Sequence, residues 1–283
     1  MQKILACIDE STWSTSVQDA AIWVAGKINS PLLFLHSIEK QQIPDSNDLS
    51  GAIGLGARSK LLSEIATLDQ LRAKVALQLG KELLATAERK AQEAGCSPVE
   101  TVQRHGEFID NLLTLESTAR LVIIGHSGTH TDKKTIVLGT QVESLLRQIN
   151  TPVLITPHDF IQPQSFMLAY DGRETTDLAL QRILASDLLR GLHCHLVTIK
   201  NKQPDLEEKF AQAAERLTTD GFTVTTRYLE GDIAKQLLDY QQTQAIDMLV
   251  MGAFSGSRLR QFFIGSNTLK MLENCNIPIL VVK

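Results

Sequence analysis

The chain has 283 residues, enough for about two domains and a substantial core without disulfide staples. Apolar residues make up 43% and charged residues 21%, the usage of an ordinary globular protein. Lys and Arg total 28 against 32 Asp and Glu, a formal charge of −4 with no long run of either sign, which argues against a basic nucleic-acid groove.

The first expected strand, 3–8, is an apolar run that reaches a carboxylate at Asp9. It is shorter than the about 7–15 apolar residues of a secretory h-region. No window approaches the ~20 apolar residues that span a bilayer. The expected setting is therefore the cytoplasm, away from membranes. A helix over 13–28 and a strand over 32–37 follow. Residues 41–80 carry Pro44-Asp45-Ser46-Asn47-Asp48 and then Gly51-Ala52-Ile53-Gly54-Leu55-Gly56. No strand precedes those glycines and their spacing is not G-x-G-x-x-G, so a loop or lid is expected there rather than a dinucleotide site. Helices at 70–95, 107–118 and 140–149 then alternate with strands at 98–104, 121–125 and 152–156. The last two strands are apolar throughout, as in parallel strands buried on both faces. Val142, Leu145, Leu146 and Ile149 form a helical stripe fit to pack on a sheet. Gln162-Pro163-Gln164 reads as a short linker. In the second half, strands at 166–170, 194–199, 222–228, 247–251 and 278–282 alternate with helices at 175–190, 204–220, 232–243 and 267–275.

The two halves repeat each other. Leu121-Val122-Ile123-Ile124-Gly125, then Gly139-Thr140, then Asn150-Thr151-Pro152-Val153-Leu154-Ile155 is matched by a second series. That series is Met248-Leu249-Val250-Met251-Gly252, Gly265-Ser266, and Asn276-Ile277-Pro278-Ile279-Leu280-Val281. Gly106 and Gly231 also correspond, as do the runs ending in Asp9 and Asp171. The chain is thus a duplication with halves 1–158 and 164–283, the first enlarged by an extra loop or helix within 41–80. Alternating strands and helices predict right-handed crossovers and an open parallel sheet in each half. Ligands on such sheets sit beyond the carboxyl ends of the strands, at the topological switch point. Asp9, Gly125, Asp171 and Gly252 all fall at expected strand ends.

Each half carries a glycine loop. Gly125-His126-Ser127-Gly128 leads to Gly139-Thr140 at a helix start, and Gly252-Ala253-Phe254-Ser255 leads to Gly265-Ser266 at another. Glycines let backbone approach a ligand closely, and a helix N-terminus offers unpaired N–H groups to an anion. The loops therefore suit nucleotide phosphates, with Asp9 or Asp171 accepting hydrogen bonds from a ribose. The same residues also serve simply as helix caps and turns. His126 and His130 flank the first loop, either touching phosphate or lying as exposed loop histidines. Lys133, Lys134, Arg258 and Arg260 sit within the loops, where they would neutralise phosphate or simply face water. His193 and His195 share a strand face but lack the further ligands of a zinc site. Four cysteines, Cys7, Cys96, Cys194 and Cys275, are widely spaced without a C-x-x-C, as free thiols of a reducing compartment are. Cys7 and Cys275 read as packing residues. No G-x-S-x-G elbow or assignable acid–base pair points to an enzyme.

These residues resemble the universal stress proteins, in tandem two-domain form. The resemblance rests on a first strand ending in Asp, a G-x2-G-x9-G-(S/T) loop after the fourth strand, and a closing Pro-Val-Leu strand. It implies two five-stranded parallel-sheet domains, Rossmann-like and akin to the adenine nucleotide alpha hydrolases, joined through their last strands as a pseudo-dimer within one chain. It also implies ATP, or its mono- or diphosphate, as ligand of a stress-response regulator that is not an enzyme. Adenine would meet main chain near Ser37 or Ile199. Phosphates would meet Gly125, Gly128, Gly139 and Thr140, or Gly252, Gly265 and Ser266. Both loops depart from the pattern. The first has ten residues between its inner and last glycines instead of nine, and the second has Ser255 at the inner position, with Gly256 beside it. The rival reading is a scaffold of the same fold with lapsed sites, binding protein partners alone or as a homodimer. The related hydrolases carry a Ser-Gly-Gly-x-Asp-Ser type loop where this chain has Asp9-Glu10-Ser11-Thr12 or Asp171-Gly172-Arg173-Glu174.

Overall fold

A computed structural model describes residues 2–39, 55–127, 140–201, 203–252 and 266–282. The first half runs β1 (Lys3–Cys7), α1 (Ser14–Ile28), β2 (Leu32–Ile38), α2 (Leu55–Glu93), β3 (Val99–His105), α3 (Phe108–Leu115), β4 (Ala119–Gly125), α4 (Thr140–Gln148) and β5 (Val153–Thr156). The second runs β6 (Ser165–Ala169), α5 (Glu174–Leu184), β7 (His193–Ile199), α6 (Leu206–Thr219), β8 (Val224–Leu229), α7 (Ile233–Thr243), β9 (Leu249–Gly252), α8 (Ser266–Asn274) and β10 (Ile279–Val282).

All ten strands form one sheet, in the order β3-β2-β1-β4-β5-β10-β9-β6-β7-β8. Within each half every pairing is parallel, as the apolar runs of the central strands require. The exception is the joint, where β10 pairs antiparallel with β5: Ile279 lies opposite Ile155, Leu280 opposite Leu154 and Val281 opposite Val153. Strand alternation splits the core into two layers. Ile4, Ala6, Phe166 and Leu168 face one layer with Val17, Trp23, Leu84 and Leu180. Leu5, Val122, Met167 and Leu249 face the other, with Leu112, Leu145, Leu237 and Leu272. Both layers run across the joint. The expected stripe of α4 (Val142, Leu145, Leu146, Ile149) is buried there.

Three expected elements change. The helix expected over 70–95 starts at Leu55, because no proline interrupts 55–69 and Gly56 is its only glycine. Leu55 and Gly56, expected in a loop, belong to its first turn, whereas 40–54 lie outside the described residues. The helix expected over 175–190 ends at Leu184. There the Ser186 hydroxyl accepts from Leu188 N at 3.3 Å and starts a separate 3-10 turn, Asp187–Leu189. Similarly, the helix expected over 107–118 stops at Leu115 and continues as the 3-10 turn Glu116–Thr118. Among the described residues no helix is long and apolar enough to cross a membrane.

Leu154 is fully buried and faces Leu280 across the joint. Leu154→Ala should cost about 2–5 kcal/mol. Because the core layers are continuous, urea unfolding followed by circular dichroism and by tryptophan emission should give one coincident transition in both proteins.

Candidate functional site

The order 3-2-1-4-5 in each half places the switch point between the first and fourth strands. Ala6 is in register with Ile123, so Asp9 and Gly125 emerge side by side at the tips of β1 and β4. Ala169 is in register with Met251, and Asp171 and Gly252 emerge likewise. The structure thus brings together, twice, the carboxylate and glycine singled out in the sequence. Because β5 and β10 are antiparallel, the two tips lie at opposite ends of the sheet.

Main chain completes each tip. Leu35 O accepts from Ile8 N at 2.9 Å, so residue 35 turns its backbone groups toward β1. Two residues on, Ser37 turns its N–H and C=O to the same edge, beyond the end of β1. Ile199 stands likewise, because Val197 O accepts from Tyr170 N at 2.8 Å. A donor and an acceptor on one exposed strand edge suit the edge of a planar base. The Ser37 hydroxyl accepts from Asn111 Nδ2 at 3.2 Å. Ile199 is buried. Thr140 and Ser266 open α4 and α8 as expected, while Gly128, Gly139, Ser255 and Gly265 lie outside the described residues, as do His130, Lys133, Lys134, Arg258 and Arg260.

The two carboxylates differ in their surroundings. Asp9 Oδ1 accepts from Ser11 N at 3.0 Å and from the Ser11 hydroxyl. Glu10 is drawn aside by buried His36, whose Nε2 donates to Glu10 Oε1 at 3.1 Å. That tautomer follows from the other ring nitrogen, which accepts from Gln103 Nε2 at 3.5 Å. Gln103 also donates to Leu77 O of α2 at 3.3 Å. A Cβ at Gly80 would sit 2.5 Å from His36 Nδ1, so glycine there lets α2 reach the network. In the second half, Asp171 Oδ1 accepts from Arg173 N at 3.1 Å and Thr176 Oγ1 at 3.0 Å, and Arg173 Nε lies 3.6 Å from its other oxygen. Asn201 Nδ2 donates to Asp171 O, and Lys209 Nζ to Gly172 O. The second tip is strapped down by α6 and the segment before it.

Gly125 and Gly252 have a packing role that the sequence reading did not separate from ligand binding. A Cβ on Gly125 would lie 3.0 Å from Trp13 Cβ, and one on Gly252 would lie 2.8 Å from Thr175 O. Trp13 and Thr175 are equivalent residues, each four beyond its Asp. The loop after the first strand folds over the tip of the fourth, so a Cβ would crowd Trp13 in the first half and collide with backbone in the second. No sequence signal marks that contact, because its partners are more than 70 residues apart.

His126 corrects an expectation. It is neither an exposed loop residue nor free to meet a phosphate, since it is buried between the halves. Its Nε2 donates to Leu272 O in the last turn of α8 at 2.5 Å, and Nδ1 is buried without a hydrogen-bond partner among the described residues. Burial lowers its pKa, only partly opposed by the bond to Leu272. His193 and His195 stack with ring centres 4.5 Å apart and meet the hydroxyls of Thr225 and Tyr240. Burial and the neighbouring His193 lower the pKa of His195. Among the described residues no group of three or more His, Cys, Asp or Glu is placed to hold a metal. Burial pushes the Cys194 and Cys275 thiols up to about 12, and raises Cys7 further with help from the Asp9 charge. These thiols are poor nucleophiles. A cleft of about 210 Å³ lined by Tyr170, Asp177, Lys209 and Arg216 is smaller than the ~300–1,000 Å³ typical of small-molecule sites.

A ten-stranded sheet made of two doubly wound halves, each with an Asp and a glycine at its switch point, defines a tandem α/β protein. The sequence profile of the universal stress protein family matches residues 1–157 and again 164–283. The chain is 33% identical to the universal stress protein Slr1230 of Synechocystis over the full length of both. It superposes on a universal stress protein from Archaeoglobus fulgidus with a TM-score of 0.75 and 18% identity, covering 99% of this chain and 98% of that one. Another universal stress protein, solved in complex with cAMP, aligns with 44% of this chain and 98% of its own at 17% identity and a TM-score of 0.37. The chain belongs to the universal stress protein family.

Two measurements test these contacts. Gly252→Ala places Cβ against backbone and should destabilise by about 1–3 kcal/mol, more than Gly125→Ala, in urea melts without any ligand. The pKa values of His126 and His195 are lower folded than unfolded, so their contribution is full above the unfolded value near ~6.5 and is lost as pH falls below it. Unfolding free energy should drop between about pH 7 and pH 5, and the drop should be smaller in His126→Gln and His195→Gln.

Proposed function

We propose that the chain binds one adenine nucleotide, ATP or its mono- or diphosphate, at the first-half tip, and acts as a non-catalytic regulator that signals through shape or partner. The observation that carries this reading is the meeting of Asp9, Gly125 and the Ser37 main chain at the β1–β4 switch point. Ser37 offers a donor and an acceptor to the adenine edge. Asp9 accepts from ribose hydroxyls. Gly128, Gly139 and Thr140, with the amino end of α4, take the phosphates. His126 takes no part, because its ring is committed to α8.

The second tip is the lapsed one in this reading. Asp9 and Asp171 both accept from their own loops, but only the second loop is held by Asn201 and Lys209, and Ser255 replaces its inner glycine. That half keeps the scaffold role, completing the sheet and offering surface to partners.

Small molecules released by denaturing the purified protein are identified by mass spectrometry, and ATP is then titrated calorimetrically. Wild type and Gly265→Val should bind one ATP per chain. Gly139→Val should lose binding, and Asp9→Ala should weaken it on the order of tenfold or more. Trp13, half-buried beside the tip, should change its emission on titration. No released nucleotide and no heat at millimolar ATP would overturn the proposal, and binding lost only in Gly265→Val would move the site to the second half.

A further inference from the structure

Helix α2 is 39 residues long, whereas its second-half equivalent α6 has 14. Only its carboxyl-terminal part lies on the sheet: Gly80, Leu84, Ala87 and Ala91 are buried against β2 and β3. From residue 63 to 79 no side chain is buried. Yet this arm carries Leu68, Leu71, Val75 and Leu79, about half exposed each, at about 3.6-residue spacing on a face distinct from the sheet-facing one. They make up four of the seven exposed large apolar residues among those described. A helix apolar on two faces is built to be covered on both, and an arm whose described hydrogen bond to another element is at Leu77, near its end, is marginal in water.

The charges on this face choose the occupant. Glu64 and Arg72 flank Leu68 four residues to either side, and the bond of Arg72 to Asp69 is a loose 3.8 Å between exposed groups. In an antiparallel pair centred on Leu68, Glu64 falls opposite the partner's Arg72 and Arg72 opposite the partner's Glu64. Leu71 then meets the partner's Ile65, and Leu68 meets its own copy on the two-fold axis. A parallel pair would instead set Glu64 beside the partner's Glu64. The stretch from Leu55 to Leu79 spans about 3.5 heptads, sufficient for a two-stranded coiled coil. We propose that the α2 arm pairs antiparallel with the α2 arm of a second copy of this chain, making a dimer distinct from the β5–β10 joint.

Sedimentation velocity should give a dimer for the wild type and a monomer for Leu68→Lys with unchanged circular dichroism. Glu64→Arg should raise the dissociation constant about tenfold, and adding Arg72→Glu should restore it. Under mild oxidation Leu68→Cys should cross-link to its own copy, whereas Leu79→Cys should not, its two copies lying ~33 Å apart along the pair. The wild-type chain, with its native thiols, is the background for both. A monomeric wild type at micromolar concentration, a dimer indifferent to Leu68→Lys, or equal cross-linking at both positions overturns the proposal.

Discussion

The constraint on which the architecture depends is the edge of the last strand in each half. β5 and β10 are four-residue strands, buried throughout, and each would otherwise present unpaired N–H and C=O groups beside an apolar face. Pairing them with each other removes both edges at once. Two similar halves joined at the same edge are related by a local two-fold, and the joint is antiparallel for that reason. The rest follows. The core layers become continuous, Trp23 packs on Phe160 of the connecting segment, and α1 meets the 3-10 turn at 187–189. The carboxyl ends of the first-half strands come to lie beside the last turn of α8, where His126 finds the carbonyl of Leu272.

The same geometry separates the two tips and frees them to diverge. A change at one leaves the other's strand ends untouched. The first tip has acquired Trp13 over Gly125 and a hydrogen-bonded line from Glu10 through His36 and Gln103 to α2. At the second, Thr198 stands in the place of His36, its hydroxyl buried without a partner among the described residues, and α6 closes over the loop with Lys209 and Leu206. The enlarged first half is thus coupled to its own tip. The smaller second half is braced around its tip by α6 and the segment before it.

Much of the fold was legible in the sequence because its causes are local or periodic. Apolar runs such as 121–125 mark buried parallel strands, the 142–149 stripe marks a sheet-packed helix, and duplication doubles every such signal. The start of α2 was missed because glycines at 51–56 read as a breaker while the helix-forming stretch after them had no apolar partner to reveal it. The restart at Ser186 was missed because its cap is one hydroxyl inside an otherwise helical pattern.

For the site, the sequence by itself determined which residues stand at the strand ends: Asp9 and Asp171, Gly125 and Gly252, and the helix starts at Thr140 and Ser266. Those follow from strand length and the repeat. Only the tertiary structure decided that Gly125 makes room for Trp13, that His126 is buried between halves rather than offered to a ligand, and that Asp171 is engaged by its own loop while α6 straps that loop down. Contacts of this kind join residues far apart in the chain, and neither composition nor periodicity carries information about which distant side chain will occupy a given gap.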